Sequence, residues 1–189
     1  EKALEIAENW YNKMPENIVA KHLWAALNGK NADDETEYNR LLFDSFAENY
    51  ENVLHNINYA VVDKIAEIAP DLNGKILDLG CGTGLIGLKL KNPDNTFYGV
   101  DLSKAMLQKA NQKNVYKVLE QADAVAYLQQ HKNEFSAIVA ADVFCYFGNL
   151  EKLLKEAAPT KIIFSIESDL QTENYKIQPN GRYKHNLLY

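Results

Sequence analysis

A parallel β-sheet covered by helices on both faces is the α/β architecture written into these 189 residues. Three observations carry that expectation. From residue 75 onward, short apolar runs alternate with segments of helical periodicity, the pattern of strands joined by crossover helices. The first run, Lys75-Ile-Leu-Asp-Leu79, enters a turn with glycine at positions 80, 82 and 84. The later runs end on small or acidic residues, at the sheet edge where such folds hold their ligands.

Taken in order, residues 3–12 and 17–28 carry apolar positions at helical spacing, with Pro15 between them and Gly29 after the second, and predict a helical hairpin. Asn31-Ala-Asp-Asp-Glu-Thr-Glu37 is a polar, acidic connector, which places the boundary between a hairpin over 1–34 and a main domain over 35–189. Residues 38–68 read as helical, with Leu41, Leu42, Phe46, Val53, Leu54, Val61, Val62, Ile65 and Ile68 on apolar faces, and Pro70 and Gly74 close the stretch. Strands are predicted at 75–79, 96–100, 116–119, 136–140 and 161–166, separated by helices starting near 85, 103, 123 and 149. Pro179-Asn-Gly181 reads as a turn. The lack of an initiating Met and the apolar ending Asn186-Leu-Leu-Tyr189 read as part of a longer polypeptide.

Composition narrows the chemistry. The net charge of −6 and a pI near 5.3 leave no electrostatic footprint for a polyanion, and the 20 basic residues are scattered, so nucleic acid is disfavoured as a partner. Cys81, Cys145 and the four histidines are dispersed without metal-ligand spacing, which predicts reduced thiols and no metal. The opening Glu-Lys-Ala-Leu-Glu lacks the profile of a signal peptide, and no apolar run approaches membrane-spanning length. A cytoplasmic protein without a membrane partner is expected.

The glycine turn separates the possible ligands. Its backbone can approach a ligand that a bulkier turn would exclude. A dinucleotide fingerprint needs its third glycine one residue later, where Leu85 stands, and the Gly-Lys-Ser/Thr ending of a phosphate loop is absent. Asp78 at the mouth of the turn repels a pyrophosphate and suits a ligand carrying an ammonium and a sulfonium. Asp101 follows Asp78 by 23 residues at the end of the second strand, where an acid accepts both hydroxyls of a ribose. Leu102, and Met106 on a helix capped by Ser103, are suited to form an apolar wall beside a purine. Ala122-Asp123-Ala124 follows the third strand; Asp123 suits either an amino group of the base or the cap of the next helix. The fourth strand runs into Ala140-Ala-Asp-Val-Phe-Cys-Tyr146.

The run Ile76-Leu-Asp-Leu-Gly-Cys-Gly-Thr-Gly84, then Gly99-Val-Asp-Leu-Ser103 with Met106 and Leu107, then Ala122-Asp123 and Ala140-Ala-Asp-Val143, resembles class I S-adenosylmethionine-dependent methyltransferases over roughly residues 40–185. The resemblance implies a Rossmann-like fold and S-adenosylmethionine as cofactor, with S-adenosylhomocysteine as product. By it, Asp78, Gly80, Cys81 and Gly82 surround the methionine part, Asp101 the ribose, and Leu102, Met106 and Asp123 the adenine, with Ala122 and Ala124 flanking. Ala140 or Ala141 contacts the cofactor through backbone atoms, and Tyr50 closes over it. The chain is similar in particular to bacterial methyltransferases with N-terminal tetratricopeptide repeats, which share Leu42-Phe43-Asp44 with Ala47 and Tyr50, and Gly181-Arg-Tyr183 with His185. Ala3, Ala7, Trp10 and Pro15 resemble the second helix and closing proline of such a repeat. Class I folds usually finish with an antiparallel hairpin, so the resemblance implies missing C-terminal strands.

The methyl acceptor is a small molecule or a protein, with the repeat-like helices favouring a protein partner. Methyl transfer needs the acceptor held close and in line, and a base is optional; Asp142, Tyr146 and His185 are its candidates. Asp142-Val-Phe-Cys145 is not an Asn-Pro-Pro-Tyr type loop, and Cys145 lacks the preceding proline of a carbon-methylating nucleophile. Two alternatives remain open: a binding scaffold that uses a methyltransferase fold without turnover, and a nicotinamide-dependent oxidoreductase, which Leu85 disfavours.

Overall fold

The computed structural model describes residues 2–31 and 35–188. The chain divides into two compact units, and the division is discontinuous in sequence. One unit comprises residues 40–143 and 150–165; the other gathers residues up to 39 with residues 144–149 and those from 166 onward. The expected connector around residue 34 falls partly outside the described residues, since 32–34 are not among them.

In the larger unit the strands are β1 (Gly74–Leu79), β2 (Asn95–Asp101), β3 (Tyr116–Gln121), β4 (Ala137–Ala140) and β5 (Lys161–Phe164). They form one sheet in the order β3-β2-β1-β4-β5, and every pairing is parallel. The order reverses beside β1, so the gap between the carboxyl ends of β1 and β4 is the topological switch point. The connecting helices are α6 (Leu85–Leu90), α7 (Lys104–Gln112), α8 (Ala124–Gln130) and α9 (Glu151–Ala157), each within two residues of its expected start. Ser103 and Asp123 cap α7 and α8 through their side chains, accepting from the amides of Met106 and Ala126 at 3.1 and 2.9 Å.

The stretch 38–68 is not one helix. The described residues form α3 (Glu35–Phe46), α4 (Tyr50–Asn56) and α5 (Val61–Ile68), with Asn58 in the left-handed region at φ 51° between the last two. Asparagine tolerates that region better than other residues with a Cβ, so the break needs neither Gly nor Pro. One core cluster joins Ile65, Ala69 and Leu72 to Ile86 and Leu90 of α6 and to Ile76, Phe97, Val139 and Ile163 of the sheet. Burial of that apolar face, rather than helix propensity, holds such short helices.

The smaller unit contains α1 (Lys2–Lys13) and α2 (Ile18–Leu27), the expected hairpin, with Asn17 capping α2. It also holds a second sheet that the alternation pattern did not show. β6 (Glu167–Ser168), β7 (Tyr175–Ile177) and β8 (Tyr183–His185) pair in the order β6-β8-β7, with β7 and β8 antiparallel. Strands of two or three residues are too short to display a period of two.

The sheet's lower edge depends on one polar side chain. Asn95, 7% exposed, donates through Nδ2 to the carbonyls of Leu72 and Leu90 at 3.0 and 2.9 Å and accepts from the Asn92 amide at 3.0 Å. These bonds tie the entry to β1, the end of α6 and the start of β2 together. Asn95→Ala strands two carbonyls and an amide, and is expected to lower stability by about 2–3 kcal/mol in urea or thermal unfolding.

Candidate functional site

The turn after β1 is held to its neighbours by backbone. Cys81 N–H donates to the Val100 carbonyl at 3.0 Å, and Gly84 N–H closes the turn on the Cys81 carbonyl at 2.8 Å. Gly80 has φ +66°, and a Cβ there would stand 2.5 Å from Val143 Cγ2, so the turn fits against the segment after β4 only with glycine. Gly82 also has positive φ, at +52°, but faces open space. The first glycine therefore serves packing, and the second leaves room for a ligand.

Two carboxylates flank this turn. Asp78, 1% exposed, lies level with Gly99 of β2 and Val139 of β4. Its Oδ2 accepts a hydrogen bond from the Tyr116 hydroxyl at 2.5 Å. Desolvation pushes its pKa up to about 7, helped by the nearby Asp101 charge and opposed by the Tyr116 bond. Asp101, half-buried at the end of β2, accepts from Gly82 N–H and Ser103 N–H, each at 2.8 Å. Its pKa is raised to about 6, again first by desolvation, although those amide bonds favour the charge. Between them the buried Cys81 thiol is pushed well above its ordinary range by desolvation and by both carboxylates, so it stays protonated and is no nucleophile at neutral pH.

A narrow cavity of about 30 Å³ opens on this turn, lined by Tyr50, Leu54, Tyr59, Val62, Asp78, Gly80, Cys81, Gly82, Thr83, Leu85, Ile86 and Ala141. It holds about one water molecule's worth of space, with Tyr50 of α4 on its wall. Tyr50 itself packs edge-on against Phe43 and Phe46, with ring centroids 6.3 and 5.6 Å apart. The helices above the turn are fastened to α7 by polar contacts. Asp44 accepts from Ser103 Oγ at 2.6 Å, and Lys109–Glu48 and Lys113–Glu51 pair at 2.8 and 2.6 Å.

Of the residues singled out in the sequence, Tyr50, Asp78, Gly80, Cys81, Gly82 and Ala141 meet in this cavity, and Asp101 joins them through Gly82. Leu102 is half-buried, whereas Met106 and Ala140 are wholly buried. Asp123, between Ala122 and Ala124, caps α8, so one of its two oxygens is engaged. Leu54, Tyr59, Val62, Thr83, Leu85 and Ile86 line the cavity without having been singled out; Thr83 and Leu85 lie within the glycine turn, while Tyr59 carries no sequence signal. Asp142 stands at the end of β4 with φ 54°, its amide donating to Ser165 Oγ at 2.7 Å and its Oδ1 accepting from that hydroxyl at 3.2 Å.

Tyr146 and His185 belong to the smaller unit. The Tyr146 hydroxyl accepts from Arg182 at 3.2 Å, and the guanidinium lies 5.2 Å from the ring centroid. Arg182 also pairs with Glu167 at 2.5 Å. His185, 1% exposed, directs Nε2 at the carbonyls of Phe147 and Gly148 at 3.0 and 3.1 Å, and desolvation lowers its pKa against the effect of those bonds.

Residues 76–160 match the sequence model of a family described as methyltransferase domain. Ubiquinone biosynthesis O-methyltransferase of Alkalilimnicola ehrlichii is 39% identical to this chain over 77 residues, covering 40% of the chain and 30% of that protein. An S-adenosylmethionine-dependent methyltransferase of Clostridium acetobutylicum superposes with a TM-score of 0.52 at 25% identity, covering 67% of the chain and 58% of that structure. The complex of DhpI with S-adenosylhomocysteine has a TM-score of 0.57 at 17% identity, over 82% and 80% of the two chains, and shares the fold. The chain spans less than half the length of the curated relatives it matches.

The larger unit holds Asp78 at a cost that pH reveals. Its folded pKa lies above the ordinary carboxylate value, so between about pH 4 and about pH 7 the native state keeps a proton that the unfolded state loses, and stability falls as pH rises through that window. Asp78→Asn removes this penalty. The variant's melting temperature relative to the natural chain is expected to rise steadily from pH 4 to pH 7 and level off above, as read by thermal unfolding without ligand.

Proposed function

We propose that the chain binds S-adenosylmethionine between Asp78 and Asp101 and transfers its methyl group to a small-molecule or protein acceptor. The observation that carries this reading is the pair of carboxylates at neighbouring strand ends, Asp78 beside the switch point of a parallel sheet and Asp101 holding the Gly82 amide of the turn between them. A carboxylate at each end of the turn matches an ammonium and a ribose diol and opposes a pyrophosphate.

In this reading Asp78 takes the ammonium and Asp101 the two ribose hydroxyls. Leu102 and Met106 line the adenine, with Asp123 and its neighbours Ala122 and Ala124 at the base edge. The backbone of Ala140 or Ala141 contacts the methionine part, and Tyr50 covers it. The cofactor supplies the methyl group and its own leaving group, so the chain's work is to fix the geometry of an in-line displacement and to exclude water. Where the acceptor must lose a proton, Asp142 is the base supported by its place after β4, where Ser165 orients it. The repeat-like α1–α2 hairpin is assigned to a protein partner, and two buried cysteines outside any disulfide suit the cytoplasm.

Calorimetric titration with S-adenosylhomocysteine tests the reading. Micromolar binding is expected, weakened about ten- to a hundredfold in Asp101→Ala, the loss of hydrogen bonds to a charged acceptor. Absence of binding by a folded sample, or preferential binding of a nicotinamide dinucleotide, overturns it.

A further inference from the structure

Tyr116 was singled out by neither its position nor its neighbours in sequence, yet three glycines make room for it. A Cβ on Gly87 would stand 2.6 Å from its Cζ and Oη, one on Gly84 3.0 Å from Cε2, and one on Gly99 3.0 Å from Cδ1. Gly84 in the turn and Gly87 in α6 leave a slot for one ring, while Gly99 in β2 makes room first for Leu119 Cδ2 at 2.7 Å and Cys81 Sγ at 2.9 Å and then for the edge of that ring. The slot leads to the cofactor site. Tyr116 Oη accepts from Gly87 N–H at 3.2 Å and donates to Asp78 Oδ2 at 2.5 Å. A backbone amide can only donate, so one lone pair of the hydroxyl is taken and its proton is directed at the carboxylate.

Resting on the cofactor reading above, we propose that Tyr116 is a positioning residue that holds the Asp78 carboxylate ionised and aimed for the ammonium of S-adenosylmethionine. Besides the Tyr116 hydroxyl, the Gly87 backbone amide favours the Asp78 charge, and no other side chain facing it does. Asp101 on β2 repels its charge, the Cys81 thiol on the turn stays protonated, and Tyr50 and Tyr59 are the other titratable side chains in the lining. Lys89 on α6 is paired with Asp63, β4 carries only Ala137-Ile-Val-Ala140, and no lysine, arginine or histidine lines the cavity. The ligand's ammonium is then the cation that the carboxylate receives. Desolvation drives the Tyr116 phenol far above its ordinary pKa, so it remains a donor throughout the working range.

Tyr116→Phe removes one oxygen and keeps the ring that fills the slot. Binding is measured from pH 6 to 8.5 with two probes: S-adenosylhomocysteine, and 5′-methylthioadenosine, which keeps the ribose and adenine but lacks the amino-acid end. For S-adenosylhomocysteine the pH midpoint of affinity is expected to move up by about one to two units, so that Kd at pH 7 rises tenfold or more and partly recovers at pH 8.5. Binding of 5′-methylthioadenosine is expected to stay unchanged. In an Asp78→Asn background Tyr116→Phe adds no further pH dependence. Equal weakening of both probes at every pH with an unmoved midpoint reduces Tyr116 to a packing residue and overturns the proposal. If the natural chain binds neither probe, the cofactor reading falls by itself. The Asp78 titration followed by carboxyl ¹³C NMR in ligand-free protein then decides the Tyr116 assignment: an upward shift in Tyr116→Phe sustains it and an unmoved titration refutes it.

Discussion

Two acids, one buried and one half-buried, set the terms for the larger unit. Asp78 and Asp101 stand at adjacent strand ends, each raised above the usual carboxylate range by desolvation, and each held by donors that the fold has to supply. Asp101 takes the amides of Gly82 and Ser103, which fixes both the glycine turn and the start of α7. Asp78 takes the phenol of Tyr116, which requires small residues in the turn, in α6 and in β2. Removing the charge would relieve the fold. In the proposed function the charge is kept for a positively charged ligand, the usual exchange of stability for function.

The same constraint orders the parts around it. Parallel pairing brings the ends of β1, β2 and β4 together, and the reversal of strand order opens the gap above them. Above the turn, α3 and α4 are fastened to α7 by Asp44–Ser103 and two lysine–glutamate pairs. The pairs are partly exposed, and such contacts are individually weak. The cleft of about 30 Å³ beneath them is where the proposed cofactor reading places the methionine part.

Much of this was legible in the sequence. Alternation gave all five parallel strands, because buried strands and amphipathic crossover helices leave strong, different periods. Asp78, Gly80, Gly82 and Asp101 were legible because a tight turn and a strand-end acid each demand a particular residue type. What was not legible depends on distant contacts or short elements. The breaks between α3, α4 and α5 carry no Gly or Pro, and only Asn58 marks one of them. Strands β6, β7 and β8 are too short to show a pattern, so Gly181-Arg-Tyr183 and His185 were visible as a motif without their places in a sheet. Tyr116 meets Asp78 across 38 positions, and Gly87 inside a helix was the one local sign that something large lay beneath.

The most direct measurement is a crystal structure of the chain with S-adenosylhomocysteine. The expected result has the ribose hydroxyls on Asp101 and the ammonium beside Asp78 with the Tyr116 bond retained. A ligand bound away from the turn after β1, or one whose ribose does not reach Asp101, would contradict the assignment of this site.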